Sequence, residues 1–386
     1  MDAAAAPPQR GGFTARSILL TGGCGFIGAW VAHALRRAYP KAPIVVLDKL
    51  EYCSSSVNLQ GIDGLEIVRG CVTDLALVLR LLRERSIDTV VHMAAQSHVD
   101  RSLTPKSKGC EAAALSFADT NVLGTQVILE AARQHWSPQV ESGAAGAAGG
   151  GFVCEASSAD ESSYRVVLVS TDEVYGETGV SDGVGVDESA PLNPTNPYAG
   201  TKAAAEMIAV SYRHSFGLPI ITTRSNNAFG PGQYPEKVVP RFIRLVEAGQ
   251  KMTLHGQGTT RRSFLYVEDC AAAIVTVLKM GDVGQVYNIG SKNEFTMAEV
   301  AQHLIEKYKL EGGLSAHSEC VPDPRPHNDK RYLLNDSNIR ALGWREEFDF
   351  SAGLEKTIAW YREHPASADH VTWPVSPSCE LLSAVE

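Results

Sequence analysis

No stretch of the 386-residue chain approaches the roughly 18 consecutive apolar residues needed to cross a bilayer as a helix. Positive charge is also scarce, with 35 Lys and Arg against 44 Asp and Glu and a net charge of −9. Nucleic-acid affinity rests on clustered cations that neutralise phosphates, so a nucleic-acid partner is excluded. The eight cysteines are scattered, with no CxxC pair and no histidine at metal-ligand spacing. That pattern argues for reduced thiols and against a structural metal. The opening MDAAAAPPQRGGFTAR has no apolar core of signal-peptide length, and residues 1–16 are expected to form a disordered leader. What remains is the profile of a soluble, cytoplasmic globular protein without internal repeats: 44% hydrophobic and 20% charged residues.

From Arg16 onward, β-branched runs alternate with helical patterns. SILLTGG, IVVLDKL, TVVHMAA and RVVLVSTDEVYG have strand character. FIGAWVAHALRRAY, LALVLRLLRER and NVLGTQVILEAARQHW space their apolar residues as amphipathic helices do. Parallel strands need helix-length crossovers, so this alternation predicts an α/β, Rossmann-type doubly wound parallel sheet. Residues 17–230 would form that dinucleotide-binding domain. Two surface insertions interrupt it, at 103–116 and at 137–163, the second carrying GAAGAAGGG. Residues 231–363 lose the rhythm and are expected to be mainly a smaller C-terminal substrate-binding lobe, with 364–386 as a tail.

The first strand ends in TGGCGFIG, which spaces Gly22, Gly25 and Gly28 between a strand and a helix. Glycine lets backbone approach a pyrophosphate closely, and the helix start offers it free N–H groups. Asp48 ends the second strand, twenty residues after Gly28. A carboxylate there accepts from an adenosine ribose and repels a 2′-phosphate, favouring NAD over NADP. Tyr198 and Lys202, in YAGTK, lie about one helical turn apart. A neighbouring ammonium favours phenolate, so Lys202 is expected to lower the Tyr198 pKa from its usual value near 10. Ser170 and Thr171 place hydroxyls at the carboxyl edge of the sheet, where ligands of such folds bind. Asp172 and Glu173 follow directly. Close carboxyl groups drive their pKa values apart, which equips one as acid and the other as base.

Together TGGCGFIG, HMAAQSHVDRS, STDEVYGE, NPYAGTKAAAE, TRSNNAFGPGQYPEK and PRPHNDKRY resemble the dTDP-glucose or UDP-glucose 4,6-dehydratases of the extended short-chain dehydrogenase/reductase superfamily. The resemblance runs from about Ser17 to Tyr361. It implies that Tyr198 takes the proton of the glucose 4-hydroxyl while NAD accepts hydride from C4, with Lys202 tuning the phenol and Thr171 bonded to the 4-oxygen. Glu173 would then remove the C5 proton and Asp172 protonate the departing 6-hydroxyl. It places cofactor contacts at Phe26, Ile27, Asp48, Lys49, Leu50, Ala94, Ala95, Ser97 and Thr120. Substrate contacts fall on Ser97, Asn227, Lys237, Arg262, Asn288, Arg325 and Tyr332, the two arginines suiting a diphosphate. A homodimer joined through helices at 121–136 and 198–216 is also implied. One departure is Cys71, standing where the family has an aspartate beside adenine. RPHND and DKLEYCSS lean towards the eukaryotic UDP-glucose type. A 4-epimerase would share Tyr198, Lys202 and the glycine turn but have no use for the carboxyl pair. A silent NAD-binding protein would have no reason to activate a phenol.

Overall fold

The computed structural model describes residues 12–103, 113–136, 163–179 and 183–364. Residues 1–11 of the expected leader, most of both insertions and nearly all of the tail lie outside the described residues.

In chain order the strands are β1 (Ile18–Thr21), β2 (Ile44–Asp48), β3 (Leu65–Arg69), β4 (Thr89–His92), β5 (Arg165–Thr171), β6 (Ile220–Ser225), β7 (Asn227–Phe229), β8 (Met252–His255), β9 (Arg261–Tyr266), β10 (Val286–Ile289), β11 (Glu294–Thr296) and β12 (Ser318–Val321). Seven of them form one parallel sheet in the order β3-β2-β1-β4-β5-β6-β10. The order reverses at β1, between β2 and β4, which is where open α/β sheets bind ligands. Strands β1, β2 and β4 are buried at every position, so they carry continuous apolar runs rather than alternation. Edge strand β3, LEIVR, is half-exposed with Glu66 and Arg69 towards solvent, and its composition gave no strand signal in the chain.

Helices cover both faces. On one, Phe26–Ala38 packs its Val31 and Leu35 into a core shared with Ala271 and Ile274 of the helix Val267–Met280. On the other, Val78 and Leu82 of helix Leu75–Glu84 meet Ile128 and Ala132 of helix Gly124–Trp136. A second core, built on Phe229, Phe242, Phe264, Tyr266 and Phe350, closes the C-terminal part.

Two expected boundaries shift. Phe13 is buried beneath the Arg165 guanidinium, and its amide donates to the Lys279 carbonyl, so the ordered chain includes residues 12–16. Residues 267–289 supply a helix and strand β10 to the first sheet, because that edge would otherwise leave β6 unpaired. The second lobe is therefore discontinuous in sequence. Among the described residues, no helix is long and apolar enough to cross a membrane, and no His/Cys/Asp/Glu cluster is arranged to hold a metal ion.

Candidate active site

The β1–helix turn brings backbone to the switch point. Gly22 has φ +71°, and a Cβ there would stand 2.8 Å from the Ala94 Cα; one on Gly28 would stand 2.2 Å from the Gly22 carbonyl oxygen. No L side chain fits either place. Gly25 begins the helix without a side-chain cap, leaving first-turn N–H groups available to an anion. The Asp48 carboxylate accepts from the Cys24 amide (3.0 Å) and from the Leu50 amide (2.8 Å), which sets the acid at the end of β2.

A cleft of about 340 Å³ opens above these groups. It is lined by Gly22, Gly25, Phe26, Ile27, Gly28, Asp48, Lys49, Ala94, Ala95, Ser97, Thr120, Tyr198 and Lys202 among the expected cofactor residues. Leu50 is outside the lining: its part is played by its amide, at φ +57°, while its side chain packs on the core. Cys71 is also outside, between lining residues Gly70 and Val72, with its sulfur accepting from the Thr73 hydroxyl. A π-helical turn, Ala118–Leu123, presents Thr120 to the cleft. In the same turn Asn121 receives the Gln96 amide (2.8 Å) and donates to Thr201 (2.9 Å), tying the β4 loop to the helix Pro197–Phe216. The sequence carried no signal for that tie, because its partners are far apart along the chain.

The helix that carries Tyr198 and Lys202, Pro197–Phe216, starts from an Asn196 cap whose side chain accepts from the Ala199 amide (2.9 Å). The same side chain donates to Glu173 (3.0 Å), so a cap worth about 1 kcal/mol also orients a carboxylate. The Asn-Pro pair at the helix start was the available clue. Strand β5 ends at Thr171, and a short 3₁₀ turn carries Asp172–Tyr175. The Thr171 hydroxyl donates to Asp172 (3.1 Å) and accepts from the Glu173 amide (3.3 Å). Burial, and then the charge of Glu173, push the Asp172 carboxyl up to about 7, against hydrogen bonds from Asn226 and Thr171. Lys202 donates to the Val169 carbonyl (2.6 Å), and burial draws its ammonium down to about 8.

Tyr198 departs from expectation. Burial, followed by the charges of Glu173 and Asp172, pushes the phenol well above its usual range, and only the Thr171 hydroxyl opposes this. Lys202 does not prevail because desolvation of a fully buried phenol is the larger effect.

The expected substrate residues divide. Ser97, Thr171, Asn227 and Lys237 line the cleft, with the Lys237 ammonium donating to the Ser97 carbonyl (3.1 Å). Arg262, Arg325 and Tyr332 stand beyond its lining, with Glu173 acting electrostatically on Arg325 and Tyr332. Arg262 stacks over Tyr332 at 4.6 Å and, with Arg325, donates to Asn328. Arg325 also pairs with Asp100 at 2.6 Å. Asn288 does not join them. It is fully buried, donates to the Val186 and Asn335 carbonyls, and accepts from Tyr175, itself bonded to the buried Arg224–Glu206 pair. Its strand, β10, forms the edge of the sheet, and its two donated bonds reach the loops at Val186 and Asn335. Asn226, absent from the expectations, is buried and donates to Asp172 (2.7 Å).

Comparison with known proteins identifies the family. The family model described as GDP-mannose 4,6 dehydratase matches residues 19–357. A trifunctional UDP-glucose 4,6-dehydratase/UDP-4-keto-6-deoxy-D-glucose 3,5-epimerase/UDP-4-keto-L-rhamnose-reductase of Arabidopsis thaliana is 40% identical over 96% of this chain and 50% of its own length. The chain thus spans about half the length of that plant relative. The dTDP-D-glucose 4,6-dehydratase of Homo sapiens is 39% identical over 92% of both chains. The crystal structure of dTDP-glucose 4,6-dehydratase from Streptomyces venezuelae, with NAD and TYD bound, superposes with a TM-score of 0.75 at 36% identity, covering 90% of this chain and 97% of that one. With its Rossmann sheet, its glycine turn and its Thr-Asp-Glu beside a Tyr/Lys helix, the chain belongs to the family described as GDP-mannose 4,6 dehydratase.

Proposed function

We propose that this chain is an NAD-dependent 4,6-dehydratase that converts UDP-glucose or dTDP-glucose to the 4-keto-6-deoxyglucose nucleotide and water. One observation carries the reading: a buried carboxyl near neutral pKa, a second carboxylate and a Tyr/Lys helix meet at the end of β5. Oxidation of an alcohol needs only the phenol. Removing water across C5 and C6 needs a separate base and acid.

The glycine turn and Asp48 fit a dinucleotide, since Gly22 and Gly28 leave space that any Cβ would fill. Bound NAD supplies an acceptor, and later a donor, of hydride. Within this chain Tyr198 receives the 4-hydroxyl proton, and Thr171 holds the 4-oxygen. The ketone at C4 acidifies the C5 proton, which Glu173 removes. Asp172, still protonated near neutrality, supplies a proton to the 6-hydroxyl as water leaves. Arg262 and Arg325 would grip the diphosphate as guanidinium forks.

Leu123, Met207 and Val210 are exposed apolar side chains at 46–52% on the segments 118–136 and 197–216, which supports a homodimer through those helices. Light scattering tests that, a monomeric mass being the contrary result. The described cysteines are free thiols, which suits a reducing cytoplasmic setting. Function is tested by incubating the protein with each nucleotide sugar and following mass. Loss of one water is the expected outcome, and a C4 epimer of unchanged mass would replace this reading with an epimerase.

A further inference from the structure

The proposed dehydration leaves a proton imbalance inside the enzyme. Tyr198 gains a proton from the 4-hydroxyl, and because the product keeps its 4-ketone, that proton is never returned to sugar. Asp172 loses a proton to the departing water. Glu173 balances itself, taking a proton from C5 and giving one back there. After each turnover, therefore, the phenol holds one proton too many and Asp172 one too few.

The hydrogen bonds around Thr171 supply a route between them. Its hydroxyl donates to Asp172 Oδ1 (3.1 Å), and it shares the cleft lining with the Tyr198 phenol, whose pKa it draws down against burial. A threonine hydroxyl has one proton to give and two lone pairs to receive with. When it donates to the Asp172 carboxylate, it can accept from the phenol; when Asp172 is protonated, the same three atoms can bond in the reverse sense. Both states use the same heavy-atom positions. Tyr198, Thr171 and Asp172 are each exposed by 8% or less, which keeps bulk water from serving the exchange.

Asn226 decides which oxygen of Asp172 takes the proton. The Ser291 amide donates to Asn226 Oδ1 (3.0 Å), which fixes the side-chain amide so that its Nδ2 must donate to Asp172 Oδ2 (2.7 Å). An oxygen facing an N–H donor is a poor site for a proton, so protonation falls on Oδ1, the oxygen that faces Thr171. We propose that Thr171 relays the proton gained by Tyr198 to Asp172 Oδ1, resetting base and acid together, and that Asn226 is the positioning residue that aims the Asp172 proton along this path. The phenol O–H bond breaks as a new O–H forms on Thr171, and the original Thr171 O–H breaks as one forms on Asp172. No other reactant is needed.

The inference rests on the proposed dehydration, and two variants separate its failure from the failure of that reading. In Thr171→Val the relay is cut: product should form in a burst of one equivalent per site, slowed by loss of the 4-oxygen contact. Turnover should then continue roughly 10²-fold more slowly than the burst. The slow phase should accelerate as the concentration of a small buffer acid, imidazole, is raised, whereas wild type and Thr171→Ser should show no buffer dependence. Asn226→Leu removes a donor that favours the ionised carboxyl, so the Asp172 titration, read by isotope-edited infrared spectroscopy without substrate, should move upward from about 7. A merely structural residue would leave that titration where it is. Buffer-independent turnover of Thr171→Val overturns the relay, and an unmoved titration in Asn226→Leu overturns the role of Asn226. If wild-type enzyme releases no dehydrated sugar at all, it is the dehydratase reading that fails.

Discussion

The cofactor end and the substrate end of the cleft are built in opposite ways. At the cofactor end, one continuous β-α-β stretch, residues 18–48, provides the glycine turn, the helix start and Asp48. Its recognition atoms are largely backbone, and its tolerances are steric: a Cβ on Gly28 meets a carbonyl oxygen at 2.2 Å. At the proposed substrate end, beyond the cleft lining, Asp100, Arg262, Arg325 and Asn328 come from distant segments and are held by side-chain pairs, Asp100 and Arg325 lying 225 positions apart. A backbone site fails all at once. A side-chain site loses affinity contact by contact.

The largest effect is expected at the backbone end. Gly28→Val should abolish dinucleotide binding while the C-terminal lobe stays folded, as read by cofactor content after purification and by near-UV circular dichroism. A variant that retains NAD would break the contrast. Next, Tyr198→Phe should lower the rate of C4 oxidation by about 10²–10⁴-fold, since a positioned general base contributes that much. An unaltered single-turnover rate would remove Tyr198 from the role of base. Glu173→Gln should still oxidise C4 yet fail to expel water, so the absorbance of reduced nicotinamide should build up on the enzyme. Dehydration at the wild-type rate would refute Glu173 as the C5 base. The smallest effect belongs to Asp100→Asn. Its pairing with Arg325 is partly exposed, with side chains 41% and 27% accessible, and such pairs are worth about 1 kcal/mol or less. The KM for the nucleotide sugar should therefore shift by about fivefold at most with kcat unchanged, and a larger shift would show that this end is as unforgiving as the other.

The pH dependence sharpens the contrast within the catalytic group itself. Asp172 must be protonated to act as an acid, and its carboxyl lies near 7, so the elimination step should weaken as pH rises through neutrality. Burial supplies most of that shift, and only the fold could create it. From composition alone, adjacent Asp172 and Glu173 have no asymmetry; in the structure one is enclosed by Asn226 and Thr171, and the other turns to Asn196 and the cleft.

The chain determined by itself whatever depends on neighbours in sequence. The glycine spacing, Asp48 at the end of β2, the Tyr198–Lys202 helical turn and the Thr171-Asp172-Glu173 run were all legible, because each is a local consequence of backbone geometry. Tertiary structure alone decided the rest. It placed β10 in the first sheet and put half-exposed β3 at its edge. It withdrew Asn288 into a buried network and brought Asn226 and Asn196 onto the two carboxyls. It also sent the Tyr198 phenol upward rather than downward, since desolvation and field depend on what surrounds a group in space, which a linear order of residues does not contain.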